Sequence, residues 1–181
     1  QTACGFVLEF ADIITTHNMN PSGEYKGTTY QYGWNIDGWP ASSMRSYLST
    51  DIYSALPSDL QSIIIDTKVV SGHGSRDSAN FISTDKLYLL DAREVYGASF
   101  TSSYNTSKDS ERQLDYYLAQ GVTTSNYSGA IKQLNESNTY WWLRAADSRS
   151  SSGFCCVNYI GDWYGTTANI TRGVSPAFRI A

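Results

Sequence analysis

The sequence predicts an α+β fold in which helices and strands are segregated. Helical patterns fall in the first two-thirds of the 181 residues, strand patterns gather in the last third, and a strand-like apolar run sits at each end. Segregated element order of this kind places helices against one face or end of a sheet. Because both ends are strand-like, residues 6–10 are expected to pair with residues 177–180.

The first element is the run Phe6-Val7-Leu8-Glu9-Phe10, which reads as a strand. Residues 15–38 read as a polar loop rich in Gly and Tyr, and Pro40 then opens a helical pattern. Met44, Tyr47, Leu48, Ile52 and Leu56 recur at helical spacing and form its core face. Pro57 interrupts it. Ser58 and Gln61 have the spacing of a capping box for a second short helix, which ends at Ile63-Ile64-Ile65, a triplet that suits helix or strand. Residues 66–84 read as loop, with Val69-Val70 a candidate short strand. Lys86 to Leu90 reads as a buried strand, and Ala92 to Tyr96 as a short helix stopped by Gly97. Ser110 and Gln113 cap a further helix with Leu114, Tyr117 and Leu118 on its apolar face and Gly121 at its end. After a loop over 122–138, Tyr140 to Arg144 is a strand. Phe154 to Val157 and Trp163-Tyr164 flank Gly161-Asp162 as a hairpin, and Val174 to Ile180 closes the chain. No repeat or linker divides residues 1–181, which read as one domain.

Composition excludes several classes. The net charge is -4, and 13 Lys and Arg are scattered without a stripe, so the counterion replacement that drives nucleic-acid binding has no footprint here. No apolar run reaches the roughly 18 residues that would suggest a membrane span. Charged residues are only 17%, and Ser, Thr, Asn, Gly and Tyr take their place. A polar, uncharged surface of this kind is common in extracellular proteins, which is the setting expected from composition. The Asn-x-Ser/Thr triplets at Asn105, Asn126, Asn135 and Asn169 are read as chance products of that composition. The three cysteines, Cys4, Cys155 and Cys156, do not form a disulfide framework. Neighbours on a strand face opposite ways, so Cys155 and Cys156 are not expected to bond each other.

Catalytic chemistry finds little purchase. The two histidines, His17 and His73, fall in predicted loops, and no nucleophile elbow, HExxH or phosphate loop is present. Asp51, Asp59 and Asp66 fall at surface-like spacing on predicted helices, and Asp85 precedes a strand, so no carboxylate pair is singled out. The expectation is a non-enzyme with no catalytic residue, no metal and no cofactor. Arg144 follows Trp141-Trp142-Leu143 on a core strand, where a guanidinium ties loops together through carbonyls or a carboxylate. Arg45 receives the same reading.

Several segments carry a family resemblance. They are Gly38-Trp39 with Ser43-Met44-Arg45-Ser46-Tyr47-Leu48, Asp51 to Pro57, Thr84 to Leu90, Glu94-Val95-Tyr96-Gly97, Trp142-Leu143-Arg144, and Gly173 to Ile180. In this order they resemble a family of gut-bacterial and phage domains of unknown function. That family looks related to C-type-lectin-like folds of the formylglycine-generating-enzyme type. The resemblance implies a small twisted antiparallel sheet, two main helices and adjacent termini. It does not carry activity: neither Cys155 nor Cys156 matches the reactive cysteines of those enzymes, and the calcium-site triplets of lectins are absent.

A narrower resemblance is to the variable proteins of diversity-generating retroelements, in which a C-terminal section is randomised on a fixed scaffold. Residues 145–172 resemble such a section. Phe154, Val157, Gly161 and Trp163 read as scaffold. Interleaved with them are Arg149, Cys155, Cys156, Tyr159, Ile160, Asp162, Tyr164, Thr166, Asn169 and Arg172. These ten residues, with Trp163, are the candidate ligand-binding positions. Tyr159, Asp162, Trp163 and Tyr164 are the foremost contacts, because Tyr offers contact area at low entropy cost. The expected partner is a protein or carbohydrate on another cell or surface. The competing readings are a structural or adhesin domain of a larger surface protein, in which the same residues pack tightly, and a hydrolase, in which acids converge on a pocket.

Overall fold

The computed structural model describes residues 5–101 and 112–181. In chain order its strands begin with β1 (Phe6–Glu9), β2 (Thr15–His17), β3 (Gly23–Tyr25), β4 (Thr28–Tyr30) and β5 (Ile64–Ile65). Next come β6 (Thr67–Ser71), β7 (Phe81–Asp85), β8 (Leu87–Tyr88), β9 (Gln133–Leu134) and β10 (Ser137–Asn138). The last are β11 (Trp141–Ala146), β12 (Gly153–Val157), β13 (Trp163–Thr167), β14 (Arg172–Val174) and β15 (Ala177–Ile180). The architecture is α+β, made mostly of open sheets with short helices between them.

The two ends of the described chain meet as expected. β1 lies antiparallel to β15, with Phe6 opposite Ile180 and Glu9 opposite Ala177. β15 also pairs with β5 and β8. Close approach is possible at the start of β1 because Gly5 has no side chain. A Cβ there would lie 2.4 Å from the Ile180 carbonyl oxygen.

A second sheet has the order β13-β12-β11-β14-β2. It is not purely antiparallel as expected, since β11 and β14 run parallel. Chain direction explains this: two reversals make β13 run with β11, and β14 keeps that sense. The predicted loop over 66–84 is instead largely a hairpin, β6 against β7, with Val69 opposite Ser83. Polar residues misled the reading here, because Thr67, Ser71, Ser83 and Asp85 are all buried. Within the predicted strand over 86–90 only Leu87 and Tyr88 are paired, although Leu89 and Leu90 are fully buried.

The helices are shorter than expected. Trp39–Ala41 forms a 3-10 turn, and α1 (Ser43–Tyr47) follows, capped by the Ser42 hydroxyl, which accepts from the Arg45 amide at 3.1 Å. A π-helical turn, Leu48–Ile52, and α2 (Tyr53–Ala55) extend it to Pro57. The π turn widens the helix, and the residue before a proline avoids helical geometry, so the segment stops at Leu56. α3 (Ser58–Ile63) lacks the predicted capping box. Pro57 occupies its N-cap, and Gln61 donates instead to the Leu56 carbonyl at 2.7 Å. The true box is at α4 (Ala92–Tyr96): Asp91 accepts from the Arg93 amide and Glu94 from the Asp91 amide, at 2.9 and 2.7 Å. α5 (Asp115–Ala119) buries Tyr117 but leaves Leu118 exposed. Ser110, the predicted cap of that helix, lies outside the described residues. The expected pair of main helices is therefore replaced by several short ones. None of the described helices is long and apolar enough to cross a membrane.

The core lies between these layers and is dominated by Trp39, Trp141, Trp142, Tyr88, Tyr96 and Phe154. Arg144 is buried within it. Its guanidinium donates to the Val70 and Leu89 carbonyls at 2.8 and 2.9 Å and to Glu94 at 2.5 Å. One cation thus joins β6, the β8–α4 connection and α4, the structural role expected of it. Arg45 likewise donates to Asp85 at 2.6 Å, and Asp85 also accepts from the Trp39 indole and the Ser83 hydroxyl.

Candidate functional site

The hairpin of β12 and β13 is paired without a break from Val157 opposite Trp163 to Gly153 opposite Thr167. Its tip is held from inside and below. The Asn158 side-chain oxygen accepts from the Ile160 and Asp162 amides at 2.9 and 3.0 Å, mimicking a backbone turn. Gly161 has φ +93°, and a Cβ there would lie 2.1 Å from the Tyr127 carbonyl oxygen, so only glycine fits. The Tyr96 hydroxyl donates to the Gly161 carbonyl at 2.6 Å, fastening the tip to α4.

Directly opposed strand residues share a face. Cys156 lies opposite both Trp142 and Tyr164, so these three point to one side. Val157 and Trp163 point to the other, where the Trp163 ring meets Phe100 edge to face at 5.3 Å. Trp163 is half-buried and belongs mainly to the packing.

On the first side, beyond Cys156, an aromatic cluster forms. The Tyr140 ring lies 5.7 Å from Tyr159 and 6.1 Å from Tyr164, and the Arg172 guanidinium sits 4.3 Å over Tyr140. Tyr159 is 52% exposed, Tyr164 49% and Ile160 42%. Arg172 is half-buried, and its Nε is buried with no hydrogen-bond partner. Asp162 flanks the tip. Partial burial raises its carboxyl above the ordinary value, against a hydrogen bond from the Trp163 backbone.

The other candidates fall elsewhere. Arg149 is exposed at the open end of the hairpin, away from the tip, and forms a two-pronged ion pair with Asp147 at 3.0 and 3.1 Å. Thr166 is half-buried opposite Phe154. Asn169 is half-buried, accepting from Thr167 and donating to the Ser22 hydroxyl at 3.1 Å. Cys155 and Cys156 do not reach the surface: both are buried, free thiols in β12. Burial pushes the Cys155 thiol well up and the Cys156 thiol to about 12, the latter against the lowering effect of Arg172. They are small core residues and are corrected from candidate contacts to packing, because β12 is covered on both faces. The sequence reading missed Tyr140, two residues before Trp142 on the same side. Strand alternation could have found it, but it lay outside the 145–172 window.

The candidate catalytic groups are dispersed. His17 lies in β2 rather than a loop, stacked on Tyr47 at 4.3 Å. The expected loop position was wrong because β2 pairs with distant β14. His73 does lie in a loop and contacts the Gly74 carbonyl. Asp66 sits between β5 and β6, not on a helix. Among the described residues no three His, Cys, Asp or Glu side chains gather as a metal site. No curated protein and no solved structure matches the chain. The family described as "Domain of unknown function (DUF6273)" matches residues 12–181, so the chain belongs to the DUF6273 family.

Proposed function

We propose that this protein is a non-enzymatic binding module that recognises a protein or glycan through the face built by Tyr140, Tyr159, Tyr164 and Arg172. The observation that carries this reading is the exposure of Tyr159 and Tyr164 beside an Arg–Tyr stack on a sheet whose interior is otherwise buried. Rigid Tyr rings and a planar guanidinium lose little freedom on binding and are favoured in contact surfaces. A structural-domain reading calls for tight packing of the whole segment; the exposure of Tyr159 and Tyr164 favours the binding reading over it. We further read the architecture as C-type-lectin-like. Support comes from the paired terminal strands and from a C-terminal hairpin whose tip is held independently of its outward side chains. Variation at Tyr159, Ile160, Asp162 and Tyr164 by a retroelement fits that hairpin, and the setting is then a cell surface or phage particle.

The test is binding of the purified chain to arrayed glycans and candidate surface proteins, beside a Tyr159→Ser/Tyr164→Ser variant. Ligands retained by the wild type and lost by the folded variant support the reading. Equal retention by both sinks it. Sequencing the locus across related strains tests the retroelement reading separately: substitutions must concentrate at adenine positions in codons for outward residues of 145–172.

A further inference from the structure

Away from the hairpin, a cavity of about 800 Å³ opens between β1, β6, α4 and α5. Its size falls within the range of small-molecule sites. Apolar walls come from Val7, Val69, Tyr88 and Leu114, and the polar groups among its described lining are predominantly ionisable. Most of these are matched. Lys132 lies 3.3 Å from Glu9 and donates to the Phe10 and Ala11 carbonyls at 2.7 and 2.9 Å. Glu94 is held by Arg144, and Arg112 pairs with Asp115.

Arg179 and Lys68 remain unmatched. Neither makes an ion pair or side-chain hydrogen bond among the described residues, although both line the cavity. The Arg179 Nε is a buried donor with no partner. It sits on β15 opposite Val7 and Ile65, so it shares its face with the cavity wall. Gly5 clears room for it, since a Cβ there would press on the Arg179 side chain at 3.1 Å. A buried unsatisfied donor on a cation costs stability unless something accepts from it. Once the paired groups are set aside, the cavity keeps a positive residue of charge, in a chain whose net charge is -4. Glu9 does not cancel it, because its carboxyl already faces Lys132 at 3.3 Å.

We propose that this cavity is a second binding site, for a small organic anion. The ligand's carboxylate meets the Arg179 guanidinium, and its apolar body lies against Val7, Val69 and Leu114. An aryl or short aliphatic carboxylate has this chemistry. The site is independent of the hairpin face.

The experiment is a titration of the intact chain with phenylacetate, followed by methyl resonances of Val7, Val69 and Leu114. Saturable shifts at these methyls are expected, and the neutral analogue phenylacetamide should bind at least about tenfold more weakly, the size of a charge-assisted contact. Arg179→Gln should lose the same factor while Val7→Trp, which fills the cavity, abolishes the shifts. Circular dichroism confirms that each variant is folded. If Arg179→Gln unfolds, the phenylacetate-to-phenylacetamide ratio on the wild type decides alone. Absent shifts, or equal binding of acid and amide, overturn the proposal. Tyr159→Ser/Tyr164→Ser should leave phenylacetate binding unchanged, so failure here is distinct from failure of the hairpin reading.

Discussion

The guanidinium of Arg172 stacks 4.3 Å over the Tyr140 ring, so a strand-edge cation and an aromatic residue from outside the hairpin together form the floor on which Tyr159 and Tyr164 stand. The floor is fixed, whereas the two tyrosines project from it. Their removal should therefore leave the fold intact. In Tyr159→Ser/Tyr164→Ser we expect unfolding free energy within about 1 kcal/mol of wild type, since each exposed change is worth roughly 0.5 kcal/mol or less. Urea unfolding checks this. A loss of several kcal/mol would show that the rings are structural.

Arg144 should behave in the opposite way. Its replacement by alanine leaves Glu94 without its cation and two carbonyls, of Val70 and Leu89, without their donor. Breaking a buried pair from one side costs about 3–5 kcal/mol. We expect Arg144→Ala to show that loss in urea unfolding, or not to fold. A cost below about 1 kcal/mol would mean that the buried network contributes little to stability.

The buried thiols give a chemical test of the hairpin's packing. With burial holding both thiols above their ordinary range, Cys155 and Cys156 should resist alkylation at neutral pH, because the thiolate is the reactive form. In a Cys4→Ser background, mass spectrometry after iodoacetamide should find neither modified in the folded protein and both modified in urea. Rapid native labelling of either would contradict the burial of β12.

These contrasts show which parts of the molecule were legible in the sequence. The pairing of Phe6–Glu9 with Ala177–Ile180 was legible because both runs are apolar and strand-like. Arg144 was legible because a charge within Trp-Trp-Leu-Arg must be compensated. The β6–β7 hairpin was not, since Thr67, Ser71, Ser83 and Asp85 are polar by type yet buried by contact, and periodicity reads only type. Cys155 and Cys156 failed for the converse reason. They looked too odd for a scaffold, yet small residues are what two covered faces require. Tyr159, Ile160 and Tyr164 were legible as outward positions. Tyr140 and Arg172 form one stack from segments 32 residues apart by number, a relation visible only after β11 and β14 pair.

Glu9 predicts a pH dependence of unusual sign. Its carboxyl is raised from 4.5 to about 7 by burial, opposed by Lys132 and by the Tyr117 hydroxyl, which donates to it at 2.7 Å. Between those values the folded state holds a proton that the unfolded state has released. Stability contributed by this group therefore falls as pH rises from about 4.5 to about 7, and changes little above. The span corresponds to about 3 kcal/mol at most. Glu9→Gln, which keeps the shape and removes the titration, should flatten the thermal-stability profile across that window. A profile unchanged by the substitution would assign the dependence to other groups.

Gly161 is the most sensitive backbone position of the proposed face. Its φ of +93° is disfavoured for any residue with a Cβ, and that Cβ would stand 2.1 Å from the Tyr127 carbonyl oxygen. In Gly161→Ala the tip must move, which breaks or lengthens the bond from the Tyr96 hydroxyl to the Gly161 carbonyl. We expect a loss of about 1–3 kcal/mol from strain and the lost hydrogen bond together. Binding through Tyr159 and Tyr164 should fall as well, although neither side chain has changed. Tyr96→Phe separates the two causes: it removes the fastening bond without the clash, so it should cost about 1 kcal/mol and leave binding nearly intact. If Gly161→Ala instead binds as wild type does, the tip does not position the tyrosines, and the cluster around Tyr140 must hold them by itself.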